Sequence, residues 1–175
     1  MPAALLMSNF QASLRTILRY TDNLENIIHE LNYQLKSKES GDRFVSFFIA
    51  KCDTKKRTLS YINCGHPAPL LKIKNKIIFL DQGTTLIGVF NKLPNFKTCN
   101  IKYNKEFILL CYTDGLLDTQ NEKEDYYGEE RLKNLVLSSD EDFEILNSLI
   151  IEDLNSFRGN TIYNDDITIL SMKLN

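Results

Sequence analysis

The sequence is poor in the residues that build common metal, redox and nucleotide sites. It has two histidines and four cysteines in 175 residues. The cysteines are widely spaced without a C-x-x-C pair, which argues against zinc and favours reduced thiols in the core; they are Cys52, Cys64, Cys99 and Cys111. The sequence also lacks a Gly-rich phosphate loop and any local Ser/His/Asp or Cys/His motif, so it gives no support to nucleotide binding or triad catalysis.

Positive charge and long apolar runs are scarce as well. Lysine and arginine number 21 and aspartate and glutamate 23, so the net charge is −2 and nucleic-acid binding is not expected. The longest apolar runs are short, such as residues 107–112, whereas a membrane helix needs about 20 apolar residues. Residues 1–7 are apolar but no basic segment precedes them. We therefore expect a cytoplasmic protein without membrane insertion.

The remaining composition is that of one folded domain. The chain is 43% hydrophobic and 25% charged, with no repeats and no linker rich in proline, glycine or serine. Residues 1–175 are therefore predicted to form a single domain. Residues 1–38 show apolar side chains at helical spacing in two stripes and predict a pair of helices, with Asp22 as the N-cap of the second.

The rest of the chain is predicted as strands, then helices, then a strand. Residues 43–112 read mainly as strands, beginning with an apolar run at 44–50 that predicts a central strand. One hairpin is predicted with its turn at 53–56 and its returning strand at 58–63, and two more pairs of strands are predicted at 70–80 and 96–112. Residues 127–157 predict two helices, the second with acidic residues in its first turn and a stripe that includes Phe143, and residues 165–173 predict a final strand. This order indicates a layered α+β domain.

Two acidic spots stand at the ends of apolar strands. Asp114 follows the strand at 107–112, and Asp165 and Asp166 precede the last strand. If these strands are neighbours, their carboxylates converge, and clustered carboxylate oxygens without soft ligands suit Mg²⁺ or Mn²⁺. On residue type alone, a turn at Asp-Gly and a solvated loop before the last strand explain the same residues. Both interpretations stay open at this point.

A third candidate is the segment Gly65-His66-Pro67. A histidine between glycine and proline is able to serve as a ligand or a proton donor. No second histidine lies nearby in the sequence and the setting is typical of a turn, so a structural role is the favoured interpretation.

Taken in order, four segments resemble the SpoIIE-like bacterial branch of the metal-dependent protein phosphatase (PPM, protein phosphatase 2C) superfamily. They are the Met-Pro-Ala-Ala helix start at residue 1, the Gly-His-x-x-Pro turn at 65–69, Thr-Asp-Gly at 113–115 with its following helix, and Asp-Asp-Ile-Thr at 165–168. The resemblance covers essentially the whole chain.

The resemblance implies an αββα-type sandwich of antiparallel sheets flanked by helices. It implies a signal-transduction hydrolase that removes phosphate from phosphoserine or phosphothreonine on a protein, with Mn²⁺ or Mg²⁺ and a metal-activated water. By position, Asp114 and Asp165 become metal ligands, Asp166 lies next to the site, and Gly65, His66 and Pro67 form a structural turn. Relatives act on phosphorylated anti-sigma-factor antagonists, and their first two helices often carry regulatory or dimer contacts.

The resemblance also has a gap. In the family, a Gly-Gly-Asp strand and an Asp-x-Ser-Gly loop precede the Pro-Ala-Ala helix and supply a bridging carboxylate, and this sequence begins after both motifs. The expectation is an N-terminally incomplete domain with an unpaired sheet edge, in which the two remaining acids bind one ion weakly. A non-catalytic regulatory or interaction module of a partner-switching pathway is therefore the alternative function.

Overall fold

A computed structural model of the chain describes residues 3–36, 43–139 and 144–174. Within these ranges it contains five helices and eight strands, and the predicted α+β class is confirmed. The helices are α1 Ala3–Ile17, α2 Leu24–Lys36, α3 Asp114–Leu117, α4 Gly128–Ser138 and α5 Leu146–Arg158. The strands are β1 Phe47–Asp53, β2 Thr58–Cys64, β3 Leu70–Ile73, β4 Lys76–Phe79, β5 Gly83–Thr84, β6 Cys99–Lys102, β7 Phe107–Tyr112 and β8 Ile169–Leu174.

The chain divides into two compact units. The first comprises Met1–His66 and Gln82–Lys102, and the second comprises Pro67–Asp81 and Tyr103–Asn175. The expectation that residues 1–175 form a single domain stays a prediction. Among the described helices, none is both long and apolar enough to cross a bilayer.

The first unit packs α1 and α2 on a shared apolar core, which confirms the predicted helix pair; residues 1–2 and 37–38 of that prediction lie outside the described residues. The core includes the apolar stripes of both helices and residues of the adjoining sheet, namely Phe10, Ile17, Leu24, Ile27, Ile28, Leu31, Ile62, Cys64, Ile87 and Leu93. The predicted N-cap is wrong by one residue. Asn23 stands directly before α2, and its Oδ1 accepts the Asn26 N–H at 2.9 Å, whereas Asp22 pairs with Lys51.

The sheet of the first unit has β2 at its centre. β1 pairs antiparallel with β2 along one edge, and β5 and β6 pair with its other edge, β5 in parallel. The prediction of a central strand at residues 44–50 is wrong, because β1 starts at Phe47 and pairs only with β2 among the described strands. The apolar side chains of this segment make contacts on both faces of the sheet, although β1 does not have a paired strand on both of its edges. Phe47 packs against Phe10 of α1, and Phe48 packs against Tyr61 of β2.

The sheet of the second unit runs in the order β4-β3-β7-β8 and is antiparallel throughout. The hairpins predicted at 53–63 and 70–80 are confirmed as β1–β2 and β3–β4. The hairpin predicted at 96–112 is wrong. β6 belongs to the first sheet, and β7 lies between β3 and β8 in the second. The apolar alternation of two successive strands does not reveal which sheet each one joins.

Helices α4 and α5 bury apolar stripes together with β3 and β7, as the helical spacing of residues 127–157 predicts. Phe143 of the predicted stripe lies outside the described residues. The expected acidic first turn of the second helix is wrong, because α5 begins at Leu146 and has no acid there. The last strand is confirmed but begins later than predicted, at Ile169 rather than at residue 165.

Two polar contacts fix these helices. The buried Lys72 of β3 donates from Nζ to the carbonyl oxygens of Val136 and Ser139, each at 2.7 Å, and so caps the C-terminus of α4. Arg131 of α4 donates two hydrogen bonds of 2.8 Å to the carboxylate of Asp153 in α5. Tyr127 Oη donates a third to the same carboxylate, also at 2.8 Å.

None of the four cysteines forms a disulfide, and of the four only Cys64 is buried. Burial raises the pKa of Cys64 to about 12 and that of Cys111 to about 11, so both thiols are protonated at neutral pH. Neither has the thiolate character of a nucleophile or a metal ligand.

Candidate functional site

The two acidic spots come together because β7 and β8 are neighbours. The strands pair antiparallel, with Tyr112 at the end of β7 opposite Ile169 at the start of β8. The chain leaving β7 therefore lies beside the chain entering β8 at the same end of the sheet. Asp114 is in the first of these segments, and Asp165 and Asp166 are in the second. The two apolar strands that end beside the acidic residues are thus neighbours in the sheet.

Thr113 extends the pairing beyond the strands. Its backbone N–H donates to the Thr168 carbonyl at 3.1 Å, and its Oγ1 accepts the Thr168 N–H at 2.9 Å. The same hydroxyl donates to the carbonyl of Asp166 at 3.1 Å. These three bonds fix the segment that carries the second acidic spot against the end of β7. The place of Thr113 directly after a strand was a usable sequence signal for this role, but the sequence alone does not identify its partners.

Gly115 allows the two segments to lie closer together than a residue with a Cβ atom would. An added Cβ at this position would stand 2.6 Å from the Asp166 carbonyl oxygen and 3.3 Å from Cβ of Asp165. The backbone of α3 is thus in direct contact with the backbone before β8.

The three acid side chains are exposed at this end of the sheet. Asp114 accepts the Gly115 N–H at Oδ1 with a distance of 3.0 Å, and Asp165 accepts the Asp166 N–H at Oδ1 with a distance of 2.7 Å. Each of these two carboxylates therefore keeps its other oxygen, Oδ2, outside these local bonds. Both are available to an external ligand.

The donors fit one hard divalent cation better than two. Mg²⁺ is often held by one or two carboxylates, with water and substrate phosphate completing its shell, and Asp114 with Asp165 supplies that number. A two-metal centre needs further ligands, including a bridging carboxylate. Among the described residues, no group of three or more His, Cys, Asp or Glu side chains is placed to hold a metal. The two carboxylates alone would therefore leave most of a cation's coordination shell to water or substrate.

The Gly65-His66 turn lies in the first unit, and Pro67 begins the second. The turn is closed by Asn63, whose Oδ1 accepts the His66 N–H at 2.8 Å and whose Nδ2 donates to the His66 carbonyl at 2.9 Å. Gly65 has a φ of 71°, which favours glycine. The His66 imidazole has its Nδ1 3.5 Å from Oγ of Ser46. Assignment of a structural role to Gly65, His66 and Pro67 stays a prediction.

The fold is that of protein phosphatase 2C-type domains. The chain is similar to the SiaA-PP2C domain of Pseudomonas aeruginosa, with a TM-score of 0.87 and 17% identity over 100% of this chain and 71% of that one. It is also similar to a SpoIIE structure from Bacillus subtilis containing the PP2C phosphatase domain and a regulatory fragment, with a TM-score of 0.77 and 14% identity over 94% of this chain and 48% of that one.

Within that class, the sequence identifies the family. The family model described as Stage II sporulation protein E (SpoIIE) matches residues 1–175, and the chain belongs to this family. Protein IcfG of Synechocystis sp. is 26% identical over 204 aligned residues, which cover 99% of this chain and 32% of IcfG. The phosphoserine phosphatase RsbP of Bacillus subtilis is 24% identical over 110 residues, covering 62% of this chain and 27% of RsbP. The chain thus spans about a third or less of the length of these relatives.

Proposed function

We propose that this chain is part of a metal-dependent protein phosphatase that removes phosphate from phosphoserine or phosphothreonine on a signalling protein. The proposal depends on one observation, the pairing of β7 with β8, which brings Asp114 and Asp165 to the same end of the sheet. Membership of the SpoIIE family and the name of the relative RsbP, a phosphoserine phosphatase, support it.

The chemistry follows from the charge of the acidic pair. A phosphate ester is an anion, and two exposed carboxylates repel it unless a cation lies between them. A divalent cation bound there would neutralise the phosphoryl oxygens and lower the pKa of a coordinated water. Asp114 and Asp165 would hold that cation, proposed to be Mn²⁺ or Mg²⁺, while Asp166 fixes the neighbouring backbone by accepting the Thr113 hydroxyl at its carbonyl oxygen. Thr113 and Gly115 keep the two segments in place.

The test combines metal binding with hydrolysis. Mn²⁺ is titrated calorimetrically into the wild-type chain, Asp114→Asn and Asp165→Asn, with Asp118→Asn as the matched control, an exposed aspartate at the end of α3. We expect the wild type to bind one ion and each site variant to lose at least about tenfold in affinity, because one of two charged ligands becomes neutral. The control should bind as the wild type does.

Hydrolysis of a phosphoserine peptide is followed in the same four proteins by release of inorganic phosphate. Release that requires Mn²⁺ and disappears in both site variants supports the phosphatase. Mn²⁺ binding unchanged in Asp114→Asn and Asp165→Asn contradicts the site assignment.

The second candidate function is a non-catalytic interaction module of a partner-switching pathway. The observation that favours it is that, among the described residues, no group of three or more His, Cys, Asp or Glu side chains is placed to hold a metal. Binding of a phosphorylated signalling protein without Mn²⁺, and no phosphate release when Mn²⁺ is added, selects this module over the phosphatase.

The partner and setting belong to the same proposal. A phosphorylated anti-sigma-factor antagonist is the proposed substrate, in a cytoplasmic pathway. Dimer contacts are proposed on the first two helices, where α1 exposes the large apolar side chains of Leu5 and Met7. Apolar side chains exposed along one helix are typical of protein interfaces.

A further inference from the structure

An exposed aliphatic side chain stands directly before the acidic pair. Ile162 is 81% exposed and precedes Asp165 by three residues, in the loop 159–168 that joins α5 to the last strand. Single exposed apolar residues are common on protein surfaces, so this exposure alone indicates nothing. What distinguishes this isoleucine is the way its loop is held.

The residues on both sides of the isoleucine are anchored to the body of the second unit. On one side, Thr161 Oγ1 donates to the carbonyl of Gln120 at 2.7 Å. On the other, Tyr163 Oη donates to Oδ1 of Asn155 at 2.7 Å. The guanidinium of Arg158 lies 4.4 Å from the centre of the Tyr163 ring and also donates to the Thr161 carbonyl. The loop is therefore fixed while the side chain between its anchors points into solvent.

A fixed apolar side chain is suited to binding. Ordering a loop and its side chains on association reduces affinity, and a loop already held by its neighbours avoids most of that cost. Ile162 contributes little to the core, since four-fifths of its surface is in water. Its burial against a partner would release water from apolar surface and favour association.

We infer that Ile162 is a docking residue for the phosphoprotein substrate and contacts an apolar side chain close to the phosphorylated residue. The inference rests on the proposed function. Ile162 and Asp165 are three residues apart, which is at most about 10 Å in an extended chain. An extended substrate with its phosphate near Asp165 would therefore contact Ile162 through a residue within about three positions of the phosphorylated one. The substrate class is thus a phosphopeptide segment with an aliphatic or aromatic residue at that spacing.

The charges beside the isoleucine favour a protein over a membrane surface. The loop 159–168 contains Asp165 and Asp166 and no lysine or arginine, whereas peripheral binding to anionic headgroups relies on clusters of basic residues. One apolar side chain is also too small an anchor to hold a protein on a bilayer.

The test uses nine-residue peptides whose central residue is the phosphonate analogue of phosphoserine, which is not hydrolysed. One set carries leucine at one position up to three residues from the centre, on either side, and the reference peptide carries serine there. Affinities are measured by fluorescence anisotropy with Mn²⁺ for the wild type, Ile162→Ser and the control Ile151→Ser. Ile151 is the same residue type, 37% exposed on α5.

We expect the wild type to bind the best leucine peptide about tenfold more tightly than the serine peptide. Ile162→Ser should lower this preference to less than about twofold, whereas Ile151→Ser should keep it. Urea unfolding of Ile162→Ser should match the wild type, since the side chain is exposed, and this separates docking from loss of fold.

Four results would overturn the inference. If the peptides bind in a Mn²⁺-dependent way but without any leucine preference, or if Ile162→Ser keeps the preference, the phosphatase proposal stands and the docking role fails. If no peptide binds and no phosphoserine peptide is hydrolysed, the proposed function fails and the docking role with it. If the wild type binds vesicles of phosphatidylserine and phosphatidylcholine and Ile162→Ser loses that binding, Ile162 contacts a membrane rather than a protein substrate.

Discussion

Replacing Gly115 by alanine tests whether the two acidic segments are in contact. The new Cβ would stand 2.6 Å from the Asp166 carbonyl oxygen, and the obstacle is backbone rather than a flexible side chain. Ordinary contact needs about 3.4 Å, so the segments must separate by roughly 0.8 Å, and overpacking of this kind costs about 1–3 kcal/mol. Alanine is intrinsically better than glycine in a helix by up to about 1 kcal/mol, which offsets part of that cost. We expect a net loss of about 1–2 kcal/mol.

The assay is urea unfolding at pH 7 combined with Mn²⁺ titration. Gly115→Ala should lose both stability and Mn²⁺ affinity, because the separation moves Asp165 away from Asp114. Gly128→Ala is the control. Its φ of 73° strains an alanine, for about 1 kcal/mol, but no atom lies within 4 Å of the added Cβ. It should therefore lose stability with Mn²⁺ binding intact. Equal Mn²⁺ affinity for Gly115→Ala and the wild type would refute the contact.

Two further predictions concern the helices of the second unit. Lys72→Met should lower the free energy of unfolding by about 1–2 kcal/mol, because carbonyls at the end of α4 lose their donor; urea unfolding measures this, and an unchanged midpoint would contradict the cap. Asp153→Asn should cost about 1 kcal/mol at pH 7, a modest value because Arg131 is 42% exposed. The hydrogen bonds from Arg131 lower the pKa of Asp153 below its usual value, so this contribution is present above about pH 4 and is lost as pH falls through the lowered pKa. Thermal melts of both proteins between pH 2.5 and 7 should converge at the acid end, and a constant difference would count against the assignment.

Apolar spacing predicted the elements whose faces are buried. The stripe of α2 and the run of β7 become core, so sequence pattern and structure agree there. Pairing between strands is a long-range property that local pattern does not encode, which is why the partners of β1 and β6 were predicted wrongly. Asp22 and Asn23 are both good N-caps, so the sequence alone does not distinguish them; in the structure Asn23 accepts the Asn26 N–H and Asp22 pairs with Lys51 of β1.

The sequence was sufficient to predict which acidic residues belong to the candidate site, but not how they are arranged in space. Asp114 and Asp165 stand out because each flanks a strongly apolar strand, yet their approach depends on β7 and β8 being neighbours. Thr113 escaped the sequence analysis because a threonine after a strand has many local uses, and only the structure gives it Thr168 and Asp166 as partners. The motifs identify the acidic residues in the sequence, whereas strand pairing in the sheet determines which of them lie close together.

The structure also decides why a glycine follows Asp114. If Asp-Gly served only as a turn, Gly115 would be expected in the left-handed backbone region, as Gly65 is. Gly115 instead lies in α3 and is not among the glycines with positive φ. What requires glycine is the missing Cβ, because the Asp166 backbone occupies the space that a side chain would take. A turn has no need of that contact, whereas the proposed cation site does, because it requires the segments of Asp114 and Asp165 to stay close together.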